Sequence, residues 1–400
     1  MRKFLLIIVV GVLIAGAYLL GTFNASKTIA VPPADWAQGS EAAQAWRQFV
    51  ASMEAAGARV FASHEDPQER LDGLVYLAQL STAALEMKFA KGDSARPRFT
   101  DWMSDYRKFL GDTPDAIYQT AELSPEFDYE ITGNIADAEY LGFMLYGTGL
   151  NGWNRAAANM SNETLHFDDS GNFTLLLSKA PPADTDANWL PLEDDVHMVM
   201  VRQYYHGRSG KQTASFSIRN LAPPVFVPAN DGEVATALAN ATTFFNGTVD
   251  GAIALSAMLA PGANNIDPPK SYNPDFGGVF YPTDDNEYYG SWFYLQDDEA
   301  LVVEGAVPDA PYWSISLQNR WMQSLDYDHY PVALNDTAIA TEGERYRVIV
   351  SHRKPPSGNW LSTAGKREGL LSIRYQRAKK SEKPSLKVVK FKQLSVTPVN

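Results

Sequence analysis

The chain contains no cysteine, which excludes disulfides, thiolate zinc sites and cysteine nucleophiles. Its six histidines, at 64, 166, 197, 206, 329 and 352, never form His-x-His or His-Glu-x-x-His, so nothing supports a zinc-protease site, and no metal ligands are assigned. Basic charge is in deficit: the net charge is −13 and the pI about 5.0. Binding to phosphate backbones needs a basic face, so a nucleic-acid partner is not expected. Glycine-rich phosphate loops and Gly-x-Ser-x-Gly elbows are missing too, and no cofactor is expected. The acidic pairs Asp194-Asp195 and Asp284-Asp285 and the triplet Asp297-Asp298-Glu299 lack EF-hand spacing.

What is present begins with an uncharged run from Phe4 to Gly21, preceded by Arg2 and Lys3. Eighteen helical residues span about 27 Å, close to the roughly 30 Å hydrocarbon core of a bilayer. A cleaved signal peptide has a shorter apolar region, of about 7–15 residues. The expectation is an uncleaved anchor that makes the membrane a partner and leaves the bulk of the chain outside the cytoplasm; cleavage near Thr28-Ile29-Ala30 would make it secreted. A cysteine-free extracytoplasmic chain of 400 residues points to a bacterial cell envelope.

A motif occurs twice. Gly133-Asn-Ile-Ala-Asp137-Ala-Glu-Tyr140 recurs as Gly305-Ala-Val-Pro-Asp309-Ala-Pro-Tyr312, at an offset of 172. Asn188-Trp189-Leu190 recurs as Asn359-Trp360-Leu361 at 171, and Arg202 and Arg374, each in an apolar stretch, are again 172 apart. Solenoid repeats have periods of about 20–50 residues, so this interval indicates a duplicated domain.

The organisation expected is an anchor and stalk over 1–30, a helical region over 31–115, a first β module over 116–221, a helical and loop connector over 222–276, and a second β module over 277–400. Ser40 caps a helix with Trp46, Phe49, Val50, Met53, Val60 and Phe61 at helical spacing. Asp66-Pro67-Gln68-Glu69 opens a second helix as a capping box, with Leu71, Leu74, Val75, Ala78, Leu85 and Phe89 as its apolar stripe. A short third helix is expected over 100–110. Beyond Asp115 short alternating segments separated by Gly, Asn, Asp and Pro give an all-β signature. The lysine-rich segment Leu386-Lys-Val-Val-Lys-Phe391 reads as a protected edge strand. The fold class is therefore mainly β with an N-terminal α-helical region, in two duplicated β-sandwich or jelly-roll modules.

Arg96-Pro-Arg-Phe99, Gly111-Asp-Thr-Pro-Asp115 and Tyr129-Glu-Ile-Thr-Gly133 resemble the start of the bacterial proteins grouped as domain of unknown function 1214. Tyr312-Trp-Ser-Ile315, Ser324-Leu-Asp-Tyr327 and Gly358-Asn-Trp-Leu-Ser-Thr-Ala-Gly365 resemble their C-terminal signature, so the likeness runs over roughly residues 60–392. It implies paired jelly rolls, similar to the fold of a bacterial peptide N-glycosidase, and no mechanism. The chain departs from the family pattern at Lys354-Pro355-Pro356, where relatives carry an Asp-Pro-Gly turn.

Residues shared by both copies read as structural. Asp137 and Asp309 are expected in Asx turns that start a strand, Asn188 and Asn359 beside aromatic plugs at the sandwich ends, and Arg202 and Arg374 as clasps paired to Asp137 and Asp309. Function is sought where the copies differ, in Asn319–Tyr330. Asp326, Asp328 and His329 are the candidate acid–base groups, and Arg320, Trp321, Asp326, His329 and Trp360 the candidate ligand contacts. The expectation is a glycan or small organic ligand bound between the modules; the alternatives are a glycan or amide hydrolase and a structural envelope component.

Overall fold

A computed structural model describes residues 35–89, 93–149, 154–223, 229–266, 281 and 286–395. The apolar run Phe4–Gly21 and its stalk lie outside the described residues. No described helix is long and apolar enough to cross a membrane.

Helix α1 (Glu41–Ser63) starts where the Ser40 hydroxyl accepts the Ala43 N–H at 3.1 Å. Helix α2 (Pro67–Phe89) starts where Asp66 accepts the Gln68 N–H at 2.7 Å, with proline at the first helical position. The capping box expected there is not closed by Glu69. Its side chain is buried and pairs with Lys366 of the second β module at 3.1 Å.

The buried faces also differ from the apolar stripes read in sequence. Helix α1 buries Ala45, Phe49, Ala56 and Val60 and exposes Trp46, Val50 and Phe61; α2 buries Gly73, Tyr76, Leu77, Leu80, Ala83, Ala84 and Met87 and exposes Leu71, Leu74 and Val75. Small residues on α2 allow close approach, and the Trp321 indole stacks on Tyr76 with ring centroids 5.7 Å apart. A Cβ added to Gly73 would lie 2.4 Å from Val60 Cγ1 and 2.7 Å from Trp321 Cζ2. Helix α3 (Asp231–Leu259), closed by a capping box between Asn230 and Glu233, packs on both.

No helix forms over 100–110. Strand β1 (Thr100–Asp101) pairs with Gln119 and Thr120 instead, and a turn follows in which Ser104 and Arg107 bond each other's backbone. Pairing to a neighbouring strand overrides local helical spacing here.

In the first sandwich, β2 (Ala116–Glu122), β8 (Val196–Tyr204), β4 (Tyr140–Thr148) and β5 (Asn154–Ser161) continue from β1 as one sheet. The other sheet has the order β7 (Asn188–Pro191), β6 (Asn172–Ser178), β3 (Tyr129–Asn134), β9 (Ser215–Asn220). In the second sandwich, β10 (Asn286–Tyr294), β17 (Glu368–Gln376), β12 (Tyr312–Gln318) and β13 (Ala333–Asn335) form one sheet. The other runs β14 (Thr341–Glu342), β15 (Arg345–Ser351), β11 (Glu299–Ala306), β18 (Ser385–Lys390), with β16 (Asn359–Ser362) parallel to β15. The lysine-rich segment is thus an edge strand. The duplication extends over the whole sandwich: β2-β8-β4 has its counterpart in β10-β17-β12, and the parallel pair β6-β7 in β15-β16.

Side chains alternate across a strand, so each of these sheets has two faces. Leu141, Phe143, Leu145, Val199 and Val201 fill the first sandwich with Ile131, Leu175 and Leu177. Trp313, Ile315, Leu317, Leu371, Ile373 and Tyr375 fill the second. At about 1.5–3 kcal/mol for each fully buried large apolar side chain, these two clusters drive the folding of the sandwiches. The opposite faces are buried as well. Tyr140, Met144, Tyr146, Met200 and Tyr204 join a third cluster with the helices, Tyr312 and Trp321. Tyr204 and Tyr312 meet at 5.2 Å, so the β2-β8-β4 sheet of one sandwich packs on the β10-β17-β12 sheet of the other.

Candidate functional site

A cavity of about 360 Å³ opens at the junction of the two sandwiches. Its walls come from the Asp101–Gln119 segment, from the Gln203–Ala214 segment, and from Tyr327 of the second sandwich. Strand β2 places Gln119 opposite Val201 of β8, and Gln203 stands two residues further along β8, so both amides reach the cavity from one sheet.

The polar groups are pre-arranged. Gln203 Nε2 donates to Gln119 Oε1 at 3.3 Å, Gln119 Nε2 donates to Asp101 Oδ1 at 3.1 Å, and Tyr205 donates to Gln203 Oε1 at 2.5 Å. Arg208 donates to Asp105 and to the Pro114 carbonyl. The Tyr327 hydroxyl donates to Asp105 Oδ1 at 2.8 Å. The Lys108 ammonium lies over the Tyr327 ring, 3.7 Å from its centroid. Met103 and Ile117 add apolar surface beside these groups.

Two carboxylates of this cavity sit in opposed environments. Burial works to lift Asp105, but its bonds to Arg208 and Tyr327 outweigh that and hold it below the ordinary value. Asp112 is buried deeply enough that desolvation lifts it above the ordinary value, although Lys108 and its Ser324 partner act the other way. Both Asp112 oxygens are occupied, Oδ1 by the Ser324 N–H at 2.8 Å and Oδ2 by the Ser324 hydroxyl. Burial lifts Tyr327 far above its usual value and lowers Lys108. The cavity therefore offers an ionised carboxylate, a guanidinium, two amides and a phenol within one concave wall. Such a set can hydrogen-bond a polyhydroxylated or amide-bearing ligand.

The residues singled out in the sequence are distributed differently. Of Asn319–Tyr330, the first half is buried and structural. Arg320 pairs with Glu368 at 2.8 Å and lies 5.5 Å from the Trp292 ring centroid; Trp321 Nε1 donates to the Glu69 carbonyl at 3.1 Å. The second half is exposed. Asp326 and His329 pair with each other at 2.8 Å, and Asp326 also accepts the Asp328 N–H at 3.2 Å. Burial acts to raise Asp326, yet His329 and the turn amides leave it below the ordinary value. Only Tyr327 of this segment lines the cavity. Trp360 stands away from it, in β16, donating to the Ser351 carbonyl at 3.4 Å.

The shared residues build the sandwiches. Asn188 accepts the His166 N–H at 2.7 Å and donates to the carbonyls of His166 and Thr174; Asn359 accepts the Ala340 N–H at 2.8 Å and donates to those of Ala340 and Arg347. Each asparagine thus stitches a loop to a strand in the same way. The Asx turn in the first copy is made by Asn134, which accepts the Ala136 N–H, while Asp137 reaches across to the Gln212 N–H at 2.8 Å. Asp309 is tied to Lys380 through its backbone. The expected arginine clasps do not form: Arg202 donates to the Tyr146 hydroxyl at 2.8 Å and the Tyr281 carbonyl at 2.5 Å, and Arg374 donates to the Gly111 carbonyl. Both lie on the sheet face turned away from their own sandwich core, so they point into the layer between the modules instead.

Sequence reasoning missed Asp105, Arg208, Gln119 and Gln203. No spacing or repeat marks them; of the cavity's lining, Asp112 and Thr113 lay in the Gly111–Asp115 motif and Tyr327 in Ser324–Tyr327. Among the described residues, no three His, Asp or Glu side chains cluster as a metal site.

Comparison with known proteins places the fold. An uncharacterised protein from Burkholderia cenocepacia has a similar crystal structure, with a TM-score of 0.81 and 29% identity over 87% of this chain and 97% of that one. The VPA0106 protein from Vibrio parahaemolyticus matches at a TM-score of 0.47 and 11% identity, over 79% of this chain and 98% of that one. No curated protein matches the chain. Residues 120–208 and 279–380, one region in each sandwich, match the family described as "Protein of unknown function (DUF1214)". The resemblance read from its motifs holds in both copies: the chain is similar to DUF1214 proteins and is built from a duplicated β-sandwich.

Proposed function

We propose that this protein is an extracytoplasmic, membrane-anchored binding protein of the bacterial envelope, and that the junction cavity holds a glycan or a similarly small, polar organic ligand. The observation that carries this reading is the cavity itself: about 360 Å³, lined by Asp105, Arg208, Gln119, Gln203 and Tyr327 with Met103 and Ile117 beside them. Sugars present hydroxyl groups on their edges and apolar C–H faces, and a wall of paired amides and charges with apolar patches complements both. The anchor follows from the Phe4–Gly21 run and its preceding Arg2 and Lys3.

The opposed environments of Asp105 and Asp112 favour one rival, a hydrolase of glycans or amides, since paired carboxyls pushed apart in pKa divide acid and base roles. One assay separates the two. The full chain, purified in detergent, is incubated with envelope oligosaccharides and muropeptides and followed by native mass spectrometry. Binding without product, reduced at least tenfold by Arg208→Ala, supports the binding protein. Product release that Asp112→Asn abolishes supports the hydrolase. Neither binding nor turnover across the panel would overturn both.

A further inference from the structure

Between the two packed sheets lies a layer that the junction cavity does not include. The residues of β12 that face the first sandwich are Tyr312, Ser314, Ser316 and Gln318, a fully buried polar stripe where an apolar interface would be ordinary. Arg374 stands beside Ser314 in the sheet register and opposite Tyr288; Arg202 stands beside Gly142 and opposite Tyr118. The two copies thus each contribute one Tyr–Arg pair, Tyr118–Arg202 and Tyr288–Arg374, to the same interface. Arg202 is 4% exposed and Arg374 6%. Both bear electrostatically on Tyr204 and Tyr288, so the two guanidiniums share one neighbourhood.

Neither arginine has a carboxylate partner among the described residues. Arg202 uses Nη2 on Tyr146 and the Tyr281 carbonyl, and Arg374 uses Nη2 on the Gly111 carbonyl. Among the described residues, Arg202 Nη1 and Arg374 Nε and Nη1 are buried without a hydrogen-bond partner, and so are Ser316 Oγ and Gln318 Oε1. Asp112 is the carboxylate that senses Arg374, but its oxygens are taken by Ser324. Two buried cations with no carboxylate paired to them among the described residues are costly to keep. Unpaired nitrogens at three positions, with serine and tyrosine hydroxyls around them, supply the donors that an oxyanion accepts. Tyr288, half-buried, gives the layer an edge towards the surface.

We propose that Arg202 and Arg374 together bind a small oxyanion, a phosphate or a carboxylate, in the polar layer between the two sandwiches. The duplicated arginine is then conserved between the copies as a paired anion grip that needs both modules, rather than as a clasp within each. This site is independent of the ligand reading given for the junction cavity.

The test is thermal unfolding of the full chain in detergent, with phosphate or malonate replacing chloride at constant ionic strength, together with phosphorus NMR of the phosphate line. A ligand that binds only the folded state raises Tm with concentration and saturates. The expected result is a saturable rise of at least about 2 °C with one anion or both, and the responding anion identifies the source. Arg374→Met should abolish the rise. If that variant does not fold, Arg374→Lys, which keeps the charge without the planar fork, should weaken the response at least tenfold in apparent Kd. A wild-type Tm and phosphate linewidth indifferent to both anions would overturn the proposal, as would a response retained in Arg374→Met. Loss of junction-cavity binding alone, in Arg208→Ala, leaves the anion response unchanged, so the two readings fail separately.

Discussion

Tyr327 of the second sandwich donates its phenolic hydroxyl to Asp105 of the connecting segment before the first, at 2.8 Å, and so closes one wall of the junction cavity. Asp105 holds Arg208 through its other interaction, so one carboxylate organises two walls contributed by distant parts of the chain. Replacing the hydroxyl by hydrogen leaves the Arg208 pair intact and removes one hydrogen bond to a charged group. Tyr327→Phe should lower stability by about 1 kcal/mol, discounted for the partial exposure of Asp105, while weakening ligand binding severalfold. Urea denaturation and binding titration on the same variant check both; unchanged binding would mean that the phenol does not shape the cavity.

At Gly73 helix α2 packs against Trp321 of the second sandwich. Its missing Cβ leaves the space that Val60 and the Trp321 ring occupy. Gly73→Ala should destabilise the protein by about 1–3 kcal/mol, despite alanine's better helix propensity, because the added methyl has no room. Urea unfolding reads it directly. A stabilised variant would show that the α2–Trp321 contact is looser than described.

Asn188 and Asn359 make the same three backbone bonds in the two copies. Asn188→Ala and Asn359→Ala should each cost about 1–3 kcal/mol, because the loop amide and carbonyl groups they satisfy are left with poorer partners. The midpoints of urea unfolding should fall by similar amounts. A large loss for one and none for the other would break the equivalence of the copies.

Asp112 carries a pH signature. Its carboxyl is lifted in the folded state, chiefly by burial, so folded protein binds more protons than unfolded protein in the window above the ordinary aspartate value of 3.8. Stability from this group is complete below that value and is lost as pH rises through the raised pKa. Glu69 and Asp336, lifted by burial as well, act with the same sign, so the difference from a variant is the measure. Asp112→Asn, which can still accept the Ser324 N–H, should flatten the decline of the urea midpoint as pH rises above the ordinary aspartate value. An identical slope in both proteins would show that Asp112 titrates normally.

The duplication was legible because landmark residues recur in register, and those residues turn out to be fixed by backbone stitching and by packing between sheets. The helix starts were legible because Ser40 and Asp66 are caps, a purely local signal. The buried faces of α1 and α2 were not. An apolar stripe reports spacing, whereas burial depends on what arrives from elsewhere, here Trp321 stacking on Tyr76 and filling the space beside Gly73. The partners of Arg202 and Arg374 were misread for a related reason. Spacing within one copy suggested an intramodule pair, but β8 and β17 turn these side chains towards the neighbouring sandwich. Little of the junction cavity was legible: Asp112 and Tyr327 lay in motifs, but Asp105, Gln119 and Arg208 carry no pattern and are gathered by the fold of the first module, with Tyr327 added by the packing of the second.

The central claim, that the junction cavity binds a polar organic ligand, is tested most directly by a crystal structure of the full chain grown with the tightest-binding oligosaccharide from the mass-spectrometric screen. The account predicts ligand density within hydrogen-bond distance of Asp105, Gln119 and Arg208, with a sugar face against Met103 or Ile117. Density elsewhere on the molecule, with this cavity holding only solvent, would contradict it.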